Sequence, residues 1–235
     1  MSGLSPLEAG LWSLPSAIAF VIGSQLAPRI VQRIAAAHLI SGGLGVAAVG
    51  LLMLTRVGPA DGLSMLIISS VVISAGLAPV FGLTTGLVVG SAPPERAGAA
   101  SGISETAAEL GGALGIAILG SIGIALYREQ VGDDIPADVP ASAAAEAGDT
   151  LGAAVAAADQ LNASSAETLL ELTREAFVSG MQLSAAIAAV IAVAVAVLAL
   201  VGLRKARTEP VSDHGDTTKS PGESAAATEV EPSRH

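Results

Sequence analysis

Two carboxylates, Glu105 and Glu109, stand four residues apart inside an otherwise apolar stretch, PPERAGAASGISETAAELGGALGIAILGSIGIALYR, from Pro93 to Arg128. In a helix that spacing places both on one face, one turn above the other. The stretch opens on Pro-Pro-Glu, a helix start, because proline favours the first helical position. No breaker interrupts the roughly nine turns that follow. Counted from Pro94 at 1.5 Å per residue, Glu105 lies roughly 16 Å along the axis and Glu109 about 22 Å. Charges set that deep in an apolar helix are expensive, so they face a partner or a water-filled cavity. A carboxyl pair in such a cavity can exchange protons, recognise a cation, or do both. A structural alternative is a hydrogen-bond network in which a glutamate engages Ser101, Ser104 or Thr106 without titrating. Acid–base catalysis would need a histidine, an activated nucleophile or a metal ligand nearby, and the stretch offers none. The chain is therefore expected not to be an enzyme.

The elements that must hold this pair follow from composition. Hydrophobic residues make up 51% of the chain and charged residues 14%, whereas a soluble domain carries about a quarter charged residues. The apolar residues fall into five blocks, each near the roughly 20 residues needed to cross a bilayer. The expected fold is an all-α integral membrane protein of five transmembrane helices, over residues 9–27, 39–55, 63–90, 94–127 and 176–203, with the lipid bilayer as first partner. Residues 1–8 read as a lead-in, 128–175 as an acidic loop that is partly helical, and 204–235 as a tail too polar to fold. The first residues carry no positive charge and Pro15 interrupts the following apolar run, so a signal peptide is not indicated.

Charge is unevenly placed. Of the 21 acids, ten lie between Glu129 and Glu175 against one base, Arg174, and six lie in the tail from Thr208 against two bases. The remainder is slightly basic. With five crossings, Arg29, Arg33, Arg96, Arg204, Lys205 and Arg207 fall on one side. The positive-inside rule then predicts a cytoplasmic C-terminus, with the N-terminus and acidic loop outside. No basic stripe interleaved with aromatics supports nucleic-acid binding. Cysteine is absent, which excludes disulfides and thiolate metal sites. The three histidines, His38, His214 and His235, are too scattered for a metal centre. No cofactor or metal is expected.

Other residues invite two readings each. Trp12, the only tryptophan, suits an interfacial anchor, or a cavity aromatic stacking on a cationic ligand. Gly76 and Pro79, near the middle of the third span, suit close helix packing or a hinge. Gly98 with Gly102, and Gly111 with Gly115, repeat the small-xxx-small spacing that lets membrane helices approach closely.

These residues also carry a resemblance. LSPLEAGLWSLP from Leu4 to Pro15, the basic loop after the first span, and SAPPERAGAASGISETAAELGGALGIAILGS from Ser91 to Ser121 resemble the major facilitator superfamily. Within it they are similar to the fourteen-helix drug:proton antiporters of the antiseptic and multidrug efflux type. The resemblance runs from Leu4 to Arg207, and its most specific piece is Glu105-x-x-x-Glu109 followed by Leu110-Gly111-Gly112. It implies two six-helix bundles with two extra helices between them, of which this chain would supply helices ten to fourteen. It implies export of lipophilic cations driven by the proton gradient, with Glu105 and Glu109 at positions used for protonation and cation recognition. It implies a bacterial inner-membrane location. The loop from Pro28 to Ile34 lacks the aspartate of the family's cytoplasmic motif, and the first span lacks the acid some multidrug members carry there. A C-terminal part alone is expected to be inactive and to need an N-terminal half or a partner chain. The alternatives are a non-transport five-helix scaffold or partner subunit, and an exporter of lipid or another small molecule in the same superfamily.

Overall fold

Ser5 begins the first helix. Its hydroxyl accepts a 3.3 Å hydrogen bond from the Glu8 amide, and its own backbone N–H donates to the Glu8 carboxylate at 2.8 Å. This reciprocal capping box satisfies donors that a helix start leaves unpaired. From there the computed structural model, which describes residues 5–58, 62–135 and 139–206, is helical almost throughout, with no strand among the described residues. The elements are α1 (Pro6–Ile30), α2 (Ala36–Leu54), α3 (Gly62–Gly90), a 3-10 turn (Pro94–Arg96), α4 (Ala97–Asp134), α5 (Ala141–Asp149), α6 (Leu151–Ala158) and α7 (Ala163–Ala206). Five of these regions are long and apolar enough to cross a membrane, lying within α1, α2, α3, α4 with its preceding turn, and α7.

The boundaries differ in instructive ways from a reading of hydropathy. Pro93 is extended (φ −56°, ψ 146°) and Arg96 adopts φ −112°, ψ 3°, so α4 proper starts at Ala97 and not at Pro94. It then continues to Asp134, past the apolar block, since YREQVGDD contains no proline and its single glycine, Gly132, comes only two residues before the helix end. α7 begins at Ala163, well before its apolar segment, because residues 163–179 contain neither glycine nor proline and are rich in Ala, Leu and Glu. The tail reading falls mostly on residues 207–235, outside the described residues, while residues 204–206 still belong to α7. Residues 1–4 of the lead-in also lie outside.

Packing is built on small residues. A Cβ placed on Gly76 would lie 2.5 Å from both the Gly43 carbonyl and the Ala47 amide, and one on Gly50 would lie 2.9 Å from the Ile73 amide. The α2 and α3 backbones therefore touch, which only glycine permits. α1 packs on the other side of α3, with Gly23 against Ala78 and an edge-to-face pair of Phe20 and Phe81 at 6.3 Å between centroids. Across α4 and α7, Gly123 meets Gly180. Polar groups add links: Ser184 Oγ donates to the Leu119 carbonyl at 2.9 Å and Gln182 Nε2 to the Val57 carbonyl at 2.8 Å. The second bond ties α7 to the residues just after α2.

The acidic segment folds into a cap. In the first turns of α7, Ser165, Leu169, Thr173 and Ala176 are buried at helical spacing. Leu169 packs with Ala147 and Ala154, Ala176 with Tyr127, Val131 and Leu151, and Val139 with Ala143 and Ala157. Thr150 caps α6 by accepting a 3.2 Å bond from the Ala153 amide. Small alanine faces let these short helices approach closely enough to form a core in which Tyr127 is the one aromatic among the described residues.

Candidate functional site

α4 positions both glutamates. The steps from 105 to 109, 112 and 116 are four, three and four residues, so Glu105, Glu109, Gly112 and Ile116 share one face. Gly98 and Gly102 extend the same row toward the start of the helix. The half-buried stripe of α4, at Ala97, Ala100, Ser104 and Gly115, lies to one side of it. Both carboxylates are exposed on this protein's surface, and neither has a hydrogen-bonding or ion-pair partner among the described residues. The Thr106 hydroxyl donates to the Gly102 carbonyl at 2.8 Å instead. None of Ser101, Ser104 and Thr106 reaches a carboxylate, so the arrangement supplies two acceptors with free lone pairs, about one turn apart.

The other singled-out residues separate into two groups. Gly76 and Pro79 are buried at the α2–α3 contact, and α3 remains helical through both. Around Gly98, Gly102, Gly111 and Gly115, in contrast, an added Cβ would meet nothing within 4 Å. Trp12 is half exposed near the start of α1. The structure does not bring it to the glutamates by any contact among the described residues. Several organising residues carried no signal by themselves: Gly43, Gly50, Gly123 and Gly180 at backbone contacts, Gln182, and Tyr127 beneath the cap. Gly43 and Gly50, seven residues apart, offered the one periodic hint.

Two clefts adjoin these elements. One, of about 720 Å³, runs along α4 and α7 and includes Gly112, Ile116, Gly120 and Met181. The other, of about 940 Å³, lies between the start of α3 and α7, with Leu63, Leu66 and Met181 on its walls and Glu167, Glu171 and Arg174 at its edge. No metal-ligating group of three or more acids or histidines occurs among the described residues.

No protein-family profile matches the chain, but individual relatives do. It is 37% identical over 203 residues to the multidrug efflux pump LfrA of Mycolicibacterium smegmatis, covering 86% of this chain and 40% of that protein. It is 31% identical over 207 residues to the tetracenomycin C resistance and export protein of Streptomyces glaucescens, covering 84% and 38%. It is 32% identical over 182 residues to the methyl viologen resistance protein SmvA of Salmonella typhimurium, covering 75% and 35%. The chain thus spans about two fifths of the length of these relatives. Their names describe efflux and resistance proteins, not enzymes, and the five apolar helices make this a multi-pass protein of the bacterial inner membrane. The chain belongs to the drug:proton antiporter family of the major facilitator superfamily, in which it corresponds to the C-terminal portion.

Proposed function

We propose that this chain is the C-terminal part of a proton-coupled efflux transporter that exports lipophilic cationic drugs or antiseptics by alternating access. The observation that carries the reading is the Glu105–Glu109 pair, unpartnered on one face of α4 within a membrane-length apolar helix. Counted from Ala97, the two lie roughly 12 and 18 Å along the axis, inside a hydrocarbon layer of about 30 Å.

The chemistry is mutual exclusion. A carboxyl that binds a proton loses its attraction for a cation, and a cation seated against the carboxylate favours loss of the proton. Each ligand weakens the other by the same factor, as linkage requires. When the site opens to the more acidic side, protonation releases the cation; when it opens inward, the cation displaces the proton. An apolar, water-poor surround strengthens both interactions. The names of the relatives, which refer to multidrug efflux, tetracenomycin C export and methyl viologen resistance, support drug export as the activity. Five helices cannot form both sides of a cavity that lies between repeats, so the chain alone is expected to be inactive. Orientation follows the charge bias: the cap outside, the end bearing Arg29, Arg33 and Arg96 in the cytoplasm.

The test is dye efflux driven by an imposed proton gradient, in vesicles carrying this chain joined to the preceding portion of the Mycolicibacterium relative. Glu105→Gln and Glu109→Gln are expected to lower transport of a lipophilic cationic dye at least tenfold. Full transport with both replaced would remove the reading.

A further inference from the structure

The first turns of α7 present two faces. One, marked by Leu169 and Ala176, is buried against the cap. The other carries Leu170, Phe177 and Met181, which with Leu63 and Leu66 of α3 wall the cleft of about 940 Å³. Val57, held by the hydrogen bond from Gln182, closes one end. Phe177 is one of only three phenylalanines in the chain. The other two, Phe20 and Phe81, pack edge to face on each other, whereas Phe177 stands 42% exposed on the cleft. Glu167, Glu171 and Glu175 follow the same cleft at steps of four residues, about 6 Å apart along the helix axis. Arg174 is the one base among the described residues that line it, so the edge is net negative. The side chains of these three acids make no hydrogen bond or ion pair among the described residues.

Three properties therefore coincide: a concave space, apolar walls that include an open aromatic ring, and unpaired carboxylates at the edge. Clefts that take drug-sized molecules have about 300–1,000 Å³ and mostly apolar walls with a few polar groups, and this one falls within that range. Its charge selects the occupant. A phospholipid phosphate would face three carboxylates. A second copy related by a two-fold axis would lay the acids on themselves. A cation with apolar arms meets no such penalty: its arms lie on the leucines and Met181, and its charge sits against the face of Phe177 within the field of the acids. We propose that the α3–α7 cleft binds one amphiphilic cation of drug size, such as an arylphosphonium or a quaternary ammonium compound. The site is separate from the Glu105–Glu109 pair. Met181 follows Gly180, which meets Gly123, and Gly123 lies fourteen residues, roughly 21 Å along the axis, from Glu109. Binding here requires neither a proton gradient nor further helices, so it goes beyond the transport reading and its test reads binding alone.

The test is equilibrium dialysis of radiolabelled tetraphenylphosphonium against the chain in phosphatidylcholine nanodiscs, with empty discs subtracted for partition into lipid. Saturable binding of one cation per chain is expected. Glu171→Gln combined with Glu175→Gln should weaken it at least fivefold, and so should Phe177→Leu, while Phe177→Tyr, which keeps the aromatic face, should bind as the parent does. Glu105→Gln combined with Glu109→Gln should leave it unchanged, and the neutral triphenylphosphine oxide should not compete. All these side chains are exposed, so thermal unfolding of the variants should match the parent and confirms that each is folded. Absence of saturable binding would overturn the proposal. So would binding lost in the Glu105/Glu109 variant and kept in the cleft variants, which would place the cation at the other pair. Equal competition by the neutral compound would show an apolar cleft without charge recognition, and an affinity that varies with the number of chains per disc would show a site made by a second copy; either refutes it.

Discussion

The Tyr127 hydroxyl donates a 2.7 Å hydrogen bond to the carbonyl of Ala147, joining the membrane helix α4 to the last turn of α5. That carbonyl is one of the four a helix end leaves unpaired, and Ala147 is fully buried. Tyr127 therefore serves as a C-terminal cap supplied from another element. The neighbouring Arg128–Asp149 pair, 3.5 Å apart with both side chains largely exposed, adds little. Tyr127→Phe keeps the ring packed on Val131 and Leu151 but strands the carbonyl, at a cost of about 1–3 kcal/mol to the cap. Amide exchange in α5 and α6 should accelerate about tenfold or more, with α2 and α3 unaffected. Unaltered exchange there would mean the alanine core alone holds the cap.

Gly76 and Gly102 look alike in sequence and should respond oppositely to alanine. At Gly76 the new methyl would collide with the α2 backbone at Gly43 and Ala47, and backbone cannot swing away. Overpacking of this kind costs about 1–3 kcal/mol or more. At Gly102 the methyl enters open space, so the isolated chain should be as stable as before or slightly more so, alanine being the better helix former. Thermal unfolding in detergent, followed through the single tryptophan Trp12, distinguishes the two. Equal melting of both variants would contradict the backbone contact.

Gln182 is the long-range polar tie between α7 and the end of α2. Gln182→Leu retains bulk and removes the donor to the Val57 carbonyl. Interhelical hydrogen bonds of this sort in membranes contribute about 0.6 kcal/mol on average and up to about 2. A modest drop in detergent stability is expected, with greater proteolytic access at residues 55–58, just after α2. A melting curve superimposable on the parent would assign the position of Val57 to packing instead.

The start of α1 should depend on pH. The Ser5 backbone N–H, and then its hydroxyl, donate to the Glu8 carboxylate and hold its carboxyl below the ordinary glutamate value. A group whose native value is lowered stabilises the fold above its unfolded value and loses that contribution as pH falls through the native one. The first turn of α1 should therefore be protected from amide exchange at neutral pH and fray in acid, after correction for intrinsic rates. Glu8→Gln should flatten this pH dependence while Ser5→Ala weakens the turn throughout. A first turn equally protected at acid and neutral pH would show that the box does not hold it.

The number and character of the membrane helices were legible in one dimension, because spanning a bilayer demands length and apolarity and little else. The same holds for the shared face of Glu105 and Glu109, which four-residue spacing dictates in any helix. Hydropathy was a poorer guide to where helices end: α7 begins at Ala163 because alanine, leucine and glutamate propagate helix whether or not lipid surrounds them.

Contacts between helices were not legible. The Gly43–Gly76 approach and the open row at Gly98 and Gly102 obey the same small-residue pattern, yet only one is filled. Spacing says which residues share a face, not which neighbour that face meets. Likewise nothing local to Tyr127 announces that its hydroxyl ends on Ala147, twenty residues on. By itself the sequence determined helical spans and the placement of a carboxylate pair along one of them, since both depend on short-range periodicity. Tertiary structure alone decided which glycines carry backbone contacts and which face of α4 stays open, because those depend on the rotation and pairing of helices distant in the chain.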